Sequence, residues 1–464
     1  MIGAEPSRDP SRLNRLGSSL RDPAGFLARY EGRLLRVVGE SGSADLDLLE
    51  RSGLYARLVE RKLLIPHQDV PVEDWPEGLS AARVIQPAEI PFVSHAFEWC
   101  PGQLRDAALV TLAIQHEALG HGMTLKDAST SNIQFLDGRP ALVDTLSLVR
   151  NQGEPWVAYF QFCKQFLGPL LLAHHRDASI LQWMESQTDG IPLDMASALL
   201  PRHSWLRPSA LLHIHLHARA SQRASGASSG PTALAPARAD AVVESLRHAV
   251  EGLEGRHRAS PWTSYEHERP TYSDAAWSAR QGALDGIVSD LAPRSVWDLG
   301  AATGHLTRTM SVSVPFVLAL DSDAACVERI YRWTRQERVG HVLPLVMNLL
   351  NPTPDSGWAG EERVGLLRRG PADLAVAMGL VHHLAVPGGV PFERQFEVFA
   401  RLAGALVVEF IGRDDPMVRA WSNRFPTAHL TEEAFAAAAA PHFDTLARIP
   451  LPESGRVLYR LVRR

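Results

Sequence analysis

The run Ser295-Val-Trp-Asp-Leu-Gly-Ala-Ala-Thr-Gly304 sets an acid and two glycines where a hydrophobic strand pattern gives way to a helical one. Glycine reaches backbone angles closed to other residues and lets a ligand touch the main chain. Gly300 and Gly304, with the small Ala301 between them, therefore open a turn, and Asp298 at the strand end is placed to accept from a ligand's ammonium. Amides at the start of the next helix suit a carboxylate, so the turn fits an amino-acid-like ligand. Further on, Pro315-Phe-Val-Leu-Ala-Leu320 ends in Asp321-Ser-Asp323. An acid at the tip of a second strand grips a ribose diol in doubly wound nucleotide folds; Asp321 is the first choice for that role and Asp323 the second. The strand pattern His341–Met347 ends at Asn348, whose amide is placed to read an adenine edge. Ala372–Met378 leads into Gly379 and the pair His382-His383. One of these imidazoles suits a general base for a hydroxyl or amine nucleophile; alternatively one is a satisfied core histidine and the other lines a pocket passively.

A second constellation precedes it. In Met123-Thr-Leu-Lys-Asp-Ala-Ser-Thr-Ser-Asn-Ile-Gln-Phe-Leu-Asp-Gly-Arg-Pro-Ala-Leu-Val-Asp144, Asp127 is followed by Asn132, then a hairpin, then Asp144 at the end of the returning strand. The run Leu212-His-Ile-His-Leu-His-Ala218 has no carboxylate or thiolate at ligand spacing and reads as a helix rather than a metal site. His174-His175 is likewise structural. Trp156, Tyr159, Phe160, Phe162 and Phe166 read as one helix face packed in a core.

These residues need two scaffolds. At 464 residues the chain exceeds one ordinary core. Arg219–Asp240, rich in Ser, Ala, Gly and Pro, reads as a linker, and residues 1–20 as a disordered tail. The domains expected on either side are 21–218 and 241–464. In the first, Gly32–Val38 and Pro91–Phe97 read as strands and Gln103–Leu119 as a helix. Asp137-Gly138 between two apolar runs signals a hairpin, and Pro155–His175 and Pro192–Leu200 look helical. In the second, strand and helix patterns alternate as in a mostly parallel sheet, with a fifth strand at Ala405–Ile411 and a closing pair at Phe443–Pro450 and Gly455–Arg463. Glu409 is a candidate for the sheet's rim, whereas Arg413, Asp414 and Asp415 read as a solvated loop. Tyr265 and Tyr272, ahead of the first strand, either close over a ligand or pack. With 45% hydrophobic and 21% charged residues the composition is that of a soluble globular protein. A net charge of −5 gives no strong nucleic-acid signal. Three cysteines outside any CxxC spacing, with no signal peptide or membrane span, point to a cytoplasmic protein.

The C-terminal segment resembles class I S-adenosylmethionine-dependent methyltransferases over its whole length. VWDLGAATG matches their first motif, ALDSD the acidic second and DLAVAMGLVHHL the fourth, with Ala301-Ala302 where many members carry Cys-Gly. That resemblance, not periodicity, selects S-adenosylmethionine over a dinucleotide. The layout of Asp127, Asn132 and Asp144 resembles the catalytic loop and metal segment of protein kinases and small-molecule phosphotransferases. It implies Asp127 as the residue orienting a hydroxyl, Asn132 and Asp144 as Mg2+ ligands, and ATP as co-substrate. Lys126 replaces the Arg or Gly of kinases, Asp144-Thr-Leu replaces Asp-Phe-Gly, no Gly-rich phosphate loop stands near Gly32, and Lys62 is the one lysine suggested for phosphates. Taken whole, through FEWCPGQLRDAAL, GMTLKDASTSNIQF and VDTLSL, the chain is similar to bacterial methyltransferases, some nodulation-associated in rhizobia. The expected fold class is therefore α/β, a Rossmann-like doubly wound methyltransferase sheet preceded by an α+β protein-kinase-like domain. The expected acceptor is a small molecule or glycan. The alternatives are a bifunctional kinase and methyltransferase, or a kinase-like scaffold that recruits the acceptor or a partner protein. Oligomeric state is not legible.

Overall fold

The computed structural model describes residues 13–219, 236–258, 260–264 and 271–464. They form two units. The first comprises the chain up to Phe97 together with Pro101–Arg256 and Asp355–Val364; the second comprises Glu98–Cys100, His257–Pro354 and Gly365–Arg464.

The first unit opens with an antiparallel sheet of β1 (Asn14–Arg15), β2 (Gly25–Tyr30), β3 (Arg33–Val38), β4 (His67–Asp69) and β5 (Arg83–Pro87), in the order β1-β2-β3-β5-β4. The helix Glu40–Arg51 follows β3. Leu35, Val37 and Val38 are buried on β3, and Leu46 and Leu49 on that helix. The helical remainder is built on Pro101–Gly120, followed by two short antiparallel pairs: β6 (Met123–Leu125) with β9 (Leu148–Arg150), and between them in the chain the hairpin β7 (Ile133–Leu136) and β8 (Arg139–Leu142). Asp137 (φ 51°) and Gly138 (φ 68°) turn this hairpin as expected, both in the left-handed region that a two-residue type I′ turn requires.

Four expectations change. Pro91–Phe97 forms no strand; apart from a 3-10 turn at Ala96–Glu98 it is irregular. Residues 1–12 of the expected tail lie outside the described residues, but Asn14–Arg15 pairs with β2, so order begins well before residue 21. Within the expected linker, 220–235 lie outside the described residues, while Pro236–Glu251 is a helix packed on Pro101–Gly120, burying Val243, Leu246 and Val250. Residues 241–256 thus belong to the first unit, not to a C-terminal domain beginning at 241.

The second unit is one seven-stranded sheet: β10 (Ser295–Leu299), β11 (Phe316–Asp321), β12 (Val342–Val346), β13 (Ala372–Ala377), β14 (Ala403–Ile411), β15 (Phe443–Pro450) and β16 (Arg456–Arg463), in the order β12-β11-β10-β13-β14-β16-β15. The first five are parallel, and β16 runs antiparallel to β14 and β15. Helices on both faces explain why these strands read as continuous apolar runs rather than alternating ones. Val296, Val317, Leu374 and Val407 pack under Leu284, Ile287 and Val288 of the helix Asp274–Leu291. Complete burial of each such side chain contributes roughly 1.5–3 kcal/mol. The order reverses at β10, with β11 on one side and β13 on the other. Ligands of open α/β sheets sit outside the carboxyl ends of the strands at such a switch point.

Candidate active site

Gly300 leaves β10 with φ 80°, and the amides of Gly300 and Ala301 both donate to the Leu320 carbonyl at 2.8 and 3.0 Å, which pins the turn to β11. Gly304, at φ 87°, starts the helix His305–Met310, and a β-carbon there would lie 2.8 Å from Ile330 Cγ1. Two conditions, left-handed backbone and close packing, thus demand glycine. The amide of Ala302 donates to Asp321 Oδ2 at 2.8 Å and that of Gly304 to the Ala301 carbonyl at 2.9 Å. The turn's amides at 300, 301, 302 and 304 are therefore committed internally. The amides expected to face a carboxylate are those at the start of the helix His305–Met310, beyond this turn.

Asp298 does not line that space as an open acceptor. It is 2% exposed and accepts from Thr307 Oγ1 at 2.6 Å, tying the strand to the helix behind the turn. Asp321 sits half-buried at the tip of β11; its second oxygen accepts from the Asp323 amide at 2.8 Å. Asp323 instead caps the helix Ala324–Glu337, accepting from the Ala325 amide at 2.8 Å. Asn348 is exposed after β12, and its Oδ1 accepts from the Leu350 amide at 3.0 Å. Gly379 ends β13 at φ 66° with open space where a side chain would stand. Asp321 is the last residue of β11, and Asn348 and Gly379 lie beyond the carboxyl ends of β12 and β13.

His382 and His383 lie on the short helix Val381–Ala385 beyond Gly379. His382 is 2% exposed and its Nδ1 has no hydrogen-bond partner; His383 is half-buried. His383 meets Trp262 and Trp421 edge-on, with ring centroids 5.1 and 4.9 Å apart, and His382 stacks on Trp421 at 5.7 Å. The sequence reading missed both tryptophans. Burial, aided by Arg456, holds His383 down at about 4 and His382 well below the usual imidazole range. Both are neutral at pH 7. An unfolded imidazole takes its proton near pH 6.5, whereas the folded pair resists it, so the unfolded chain binds more protons below that pH. Stability is then full above about pH 6.5 and falls as pH drops toward 4. We expect the urea midpoint to be lower at about pH 5 than at about pH 7, and the difference to shrink in His383→Gln. A difference that persists unchanged in the variant would assign the acid sensitivity to other groups.

Glu409 is not a rim residue. It is fully buried on β14, accepts from Tyr272 Oη at 2.8 Å on both oxygens, and lies 3.6 Å from Arg280 Nε and from Arg456 Nη1. Tyr272 therefore packs against Glu409; Tyr265 lies outside the described residues. Asp415 is not solvated loop either, for it caps the helix Pro416–Trp421 and pairs with Arg456 Nη2 at 2.8 Å, whereas Arg413 and Asp414 are exposed. Arg280 is 6% exposed, and its Nε makes no hydrogen bond. It shares a helix face with Trp277 and Leu284, and an arginine on that otherwise apolar face was the signal that could have identified it.

In the first unit the expected phosphotransfer residues are placed differently. Asp127 Oδ1 accepts from the Ser129 amide at 2.9 Å and Gln161 Nε2 at 2.6 Å. Asp144 accepts from Ser147 Oγ at 2.7 Å and Arg36 Nη2 at 2.9 Å, and Asn132 Nδ2 donates to Ser147 Oγ at 3.1 Å. Asn132 and Asp144 do converge, on Ser147. Lys62 is exposed and faces Asp137 at 3.5 Å; the cation beside Asp144 is Arg36 on β3. The histidine run is structural: Tyr159 Oη lies 2.7 Å from His213 Nδ1 and 2.8 Å from His217 Nε2, while His215 sits between Ser197 and Ser204. Among the described residues no group of three or more His, Cys, Asp or Glu side chains has the spacing to hold a metal. None of the described helices is long and apolar enough to cross a membrane.

No model of a known protein family matches the chain. It is 28% identical over 468 aligned positions to nodulation protein NoeA of Rhizobium meliloti (strain 1021), with 97% of each chain covered. Among solved structures it is similar to N-methyltransferase NodS from Bradyrhizobium japonicum WM9 (14% identity, TM-score 0.32, 41% of this chain and 98% of that one). It is also similar to magnesium protoporphyrin IX methyltransferase from Synechocystis PCC 6803 (14% identity, TM-score 0.30, 44% of this chain and 92% of that one).

Proposed function

We propose that the second unit is an S-adenosylmethionine-dependent methyltransferase acting on a small-molecule or glycan-type acceptor in the cytoplasm. One observation carries this reading: at the switch point between β10 and β13, a glycine-opened turn is held against the acidic tip of β11 by the bond from the Ala302 amide to Asp321. Bound S-adenosylmethionine would supply a methyl group made electrophilic by its sulfonium. Asp321 accepts from the ribose hydroxyls, and the open space at Gly379 admits the ligand against the main chain. Asn348 keeps its amide donors for the adenine edge. His383, neutral and walled by Trp262 and Trp421, orients an acceptor N–H or O–H. Methyl transfer of this kind depends chiefly on holding the nucleophile in line. For the first unit we propose a kinase-like fold. It is supported by a five-stranded sheet with two helices, Glu40–Arg51 and Leu54–Glu60, after its third strand, ahead of a helical part bearing two short antiparallel strand pairs and Asp127, Asn132 and Asp144.

The test is calorimetric titration of S-adenosylmethionine into wild type and Asp321→Ala. Hydrogen bonds to a charged group contribute about 1.5–3 kcal/mol, so affinity should fall about tenfold or more. Unchanged affinity would remove the cofactor assignment.

A further inference from the structure

The kinase-like reading of the first unit implies a divalent metal on Asp144 and Asn132, and the donor set does not fit one. Arg36, 7% exposed on β3, directs a single nitrogen, Nη2, at two carboxylates: Asp144 Oδ1 at 2.9 Å and Asp22 Oδ2. Every other carboxylate oxygen there is also engaged. Asp144 Oδ2 accepts from Ser147 Oγ at 2.7 Å, and Asp22 Oδ1 accepts from the Ala24 amide at 2.9 Å. Asn132 turns Nδ2, a donor, toward Ser147 Oγ at 3.1 Å. Hard cations such as Mg2+ need several oxygens whose lone pairs face the ion, and Mg2+ tolerates little departure from octahedral geometry. Here each of those carboxylate oxygens already faces a protein donor, and the cation between the two acids is the protein's own.

We infer that the Arg36 guanidinium is a built-in cation standing where a metal would bind, and that the first unit takes up no divalent ion through Asp144. The inference rests on the kinase-like reading only for where a metal is expected; the contacts themselves are independent of it. Two carboxylates drawn to one buried nitrogen repel each other without it, since like charges a few ångström apart disfavour joint ionisation. A guanidinium is charged at every physiological pH and offers its donors in a rigid fork. It therefore compensates Asp22 and Asp144 permanently, joining the segment before β2, strand β3 and the end of the β7–β8 hairpin into one closed ion pair. Removing it leaves two acids facing a vacated volume, which is the starting condition for a metal site.

The test uses the full chain and Mn2+ alone, with no nucleotide, read by loss of the free-ion paramagnetic resonance signal. Metal binding is thereby separated from whether the unit accommodates ATP. Wild type should show no Mn2+ site that Asp144→Asn removes. Arg36→Ala should bind Mn2+ about tenfold or more tighter than wild type, and the double variant Arg36→Ala/Asp144→Asn should lose that gain. Arg36→Gln serves as the milder variant should alanine fail to fold, checked by circular dichroism. A wild-type Mn2+ site abolished by Asp144→Asn would overturn the inference, and so would a folded Arg36 variant that gains no Mn2+ affinity.

Discussion

Replacing Arg369 by methionine is expected to destabilise the second unit by about 3–5 kcal/mol, the usual consequence of leaving one member of a buried ion pair alone. Glu98 is 1% exposed, and both its oxygens face the Arg369 guanidinium, with Arg369 Nη1 at 2.9 Å from Oε2. Thr353 Oγ1 also donates to it. Methionine matches the arginine stem but supplies no donor, so the buried carboxylate would have to stay charged without this cation or take up a proton. The double variant Glu98→Met/Arg369→Met should recover most of the loss, because replacing a whole buried pair by apolar groups is often neutral. Urea denaturation of the two variants measures both. A single variant within about 1 kcal/mol of wild type would mean that the pair behaves as an exposed one.

Substituting Gly304 by valine is expected to abolish measurable S-adenosylmethionine binding. At φ 87° a β-branched residue is strained in any surroundings, and here its β-carbon would also press on Ile330 Cγ1 from 2.8 Å. Relief requires the turn to move off the helix Ala324–Glu337, whose cap Asp323 is tied to Asp321. Because Ala302 donates to Asp321, displacing the turn also displaces the proposed ribose acceptor. Gly379→Ala is the control: it has positive φ too, but open space around the new methyl, so binding should weaken less. Calorimetry on both variants separates them, and wild-type affinity in Gly304→Val would show that the turn does not shape the cofactor site.

Much of the sheet was legible because its signals are local. Strand β10 entering glycines, β11 ending in acid, and the closing pair β15 and β16 depend on residues a few positions apart, and all appear where the patterns put them. The Asp137-Gly138 hairpin is of the same kind, a turn that two neighbouring residues specify by their backbone angles. Local pattern failed where composition was a weak guide. Pro91–Phe97 is apolar enough for a strand yet pairs with nothing in a named sheet, and Pro236–Glu251 follows a linker-like stretch yet contributes a packed helix face.

The chemistry of the sites was decided mainly by tertiary structure. Sequence alone supplied the types and order of Asp298, Gly300, Gly304 and Asp321, and these sufficed to propose the cofactor. It did not determine which acids remain available to a ligand. Arg36 meets Asp144 across 108 residues, Arg369 meets Glu98 across 271, and Tyr272 meets Glu409 across 137. A carboxylate's role depends on what faces it: Asp298 behind Thr307 ties two elements together, Asp415 beside Arg456 caps a helix, and Asp321 accepts from the glycine turn as the proposed ribose acceptor. Coulomb and hydrogen-bond energies act over a few ångström regardless of separation along the chain. Spacing can therefore announce the acids of a site, but only the fold assigns each of them a partner.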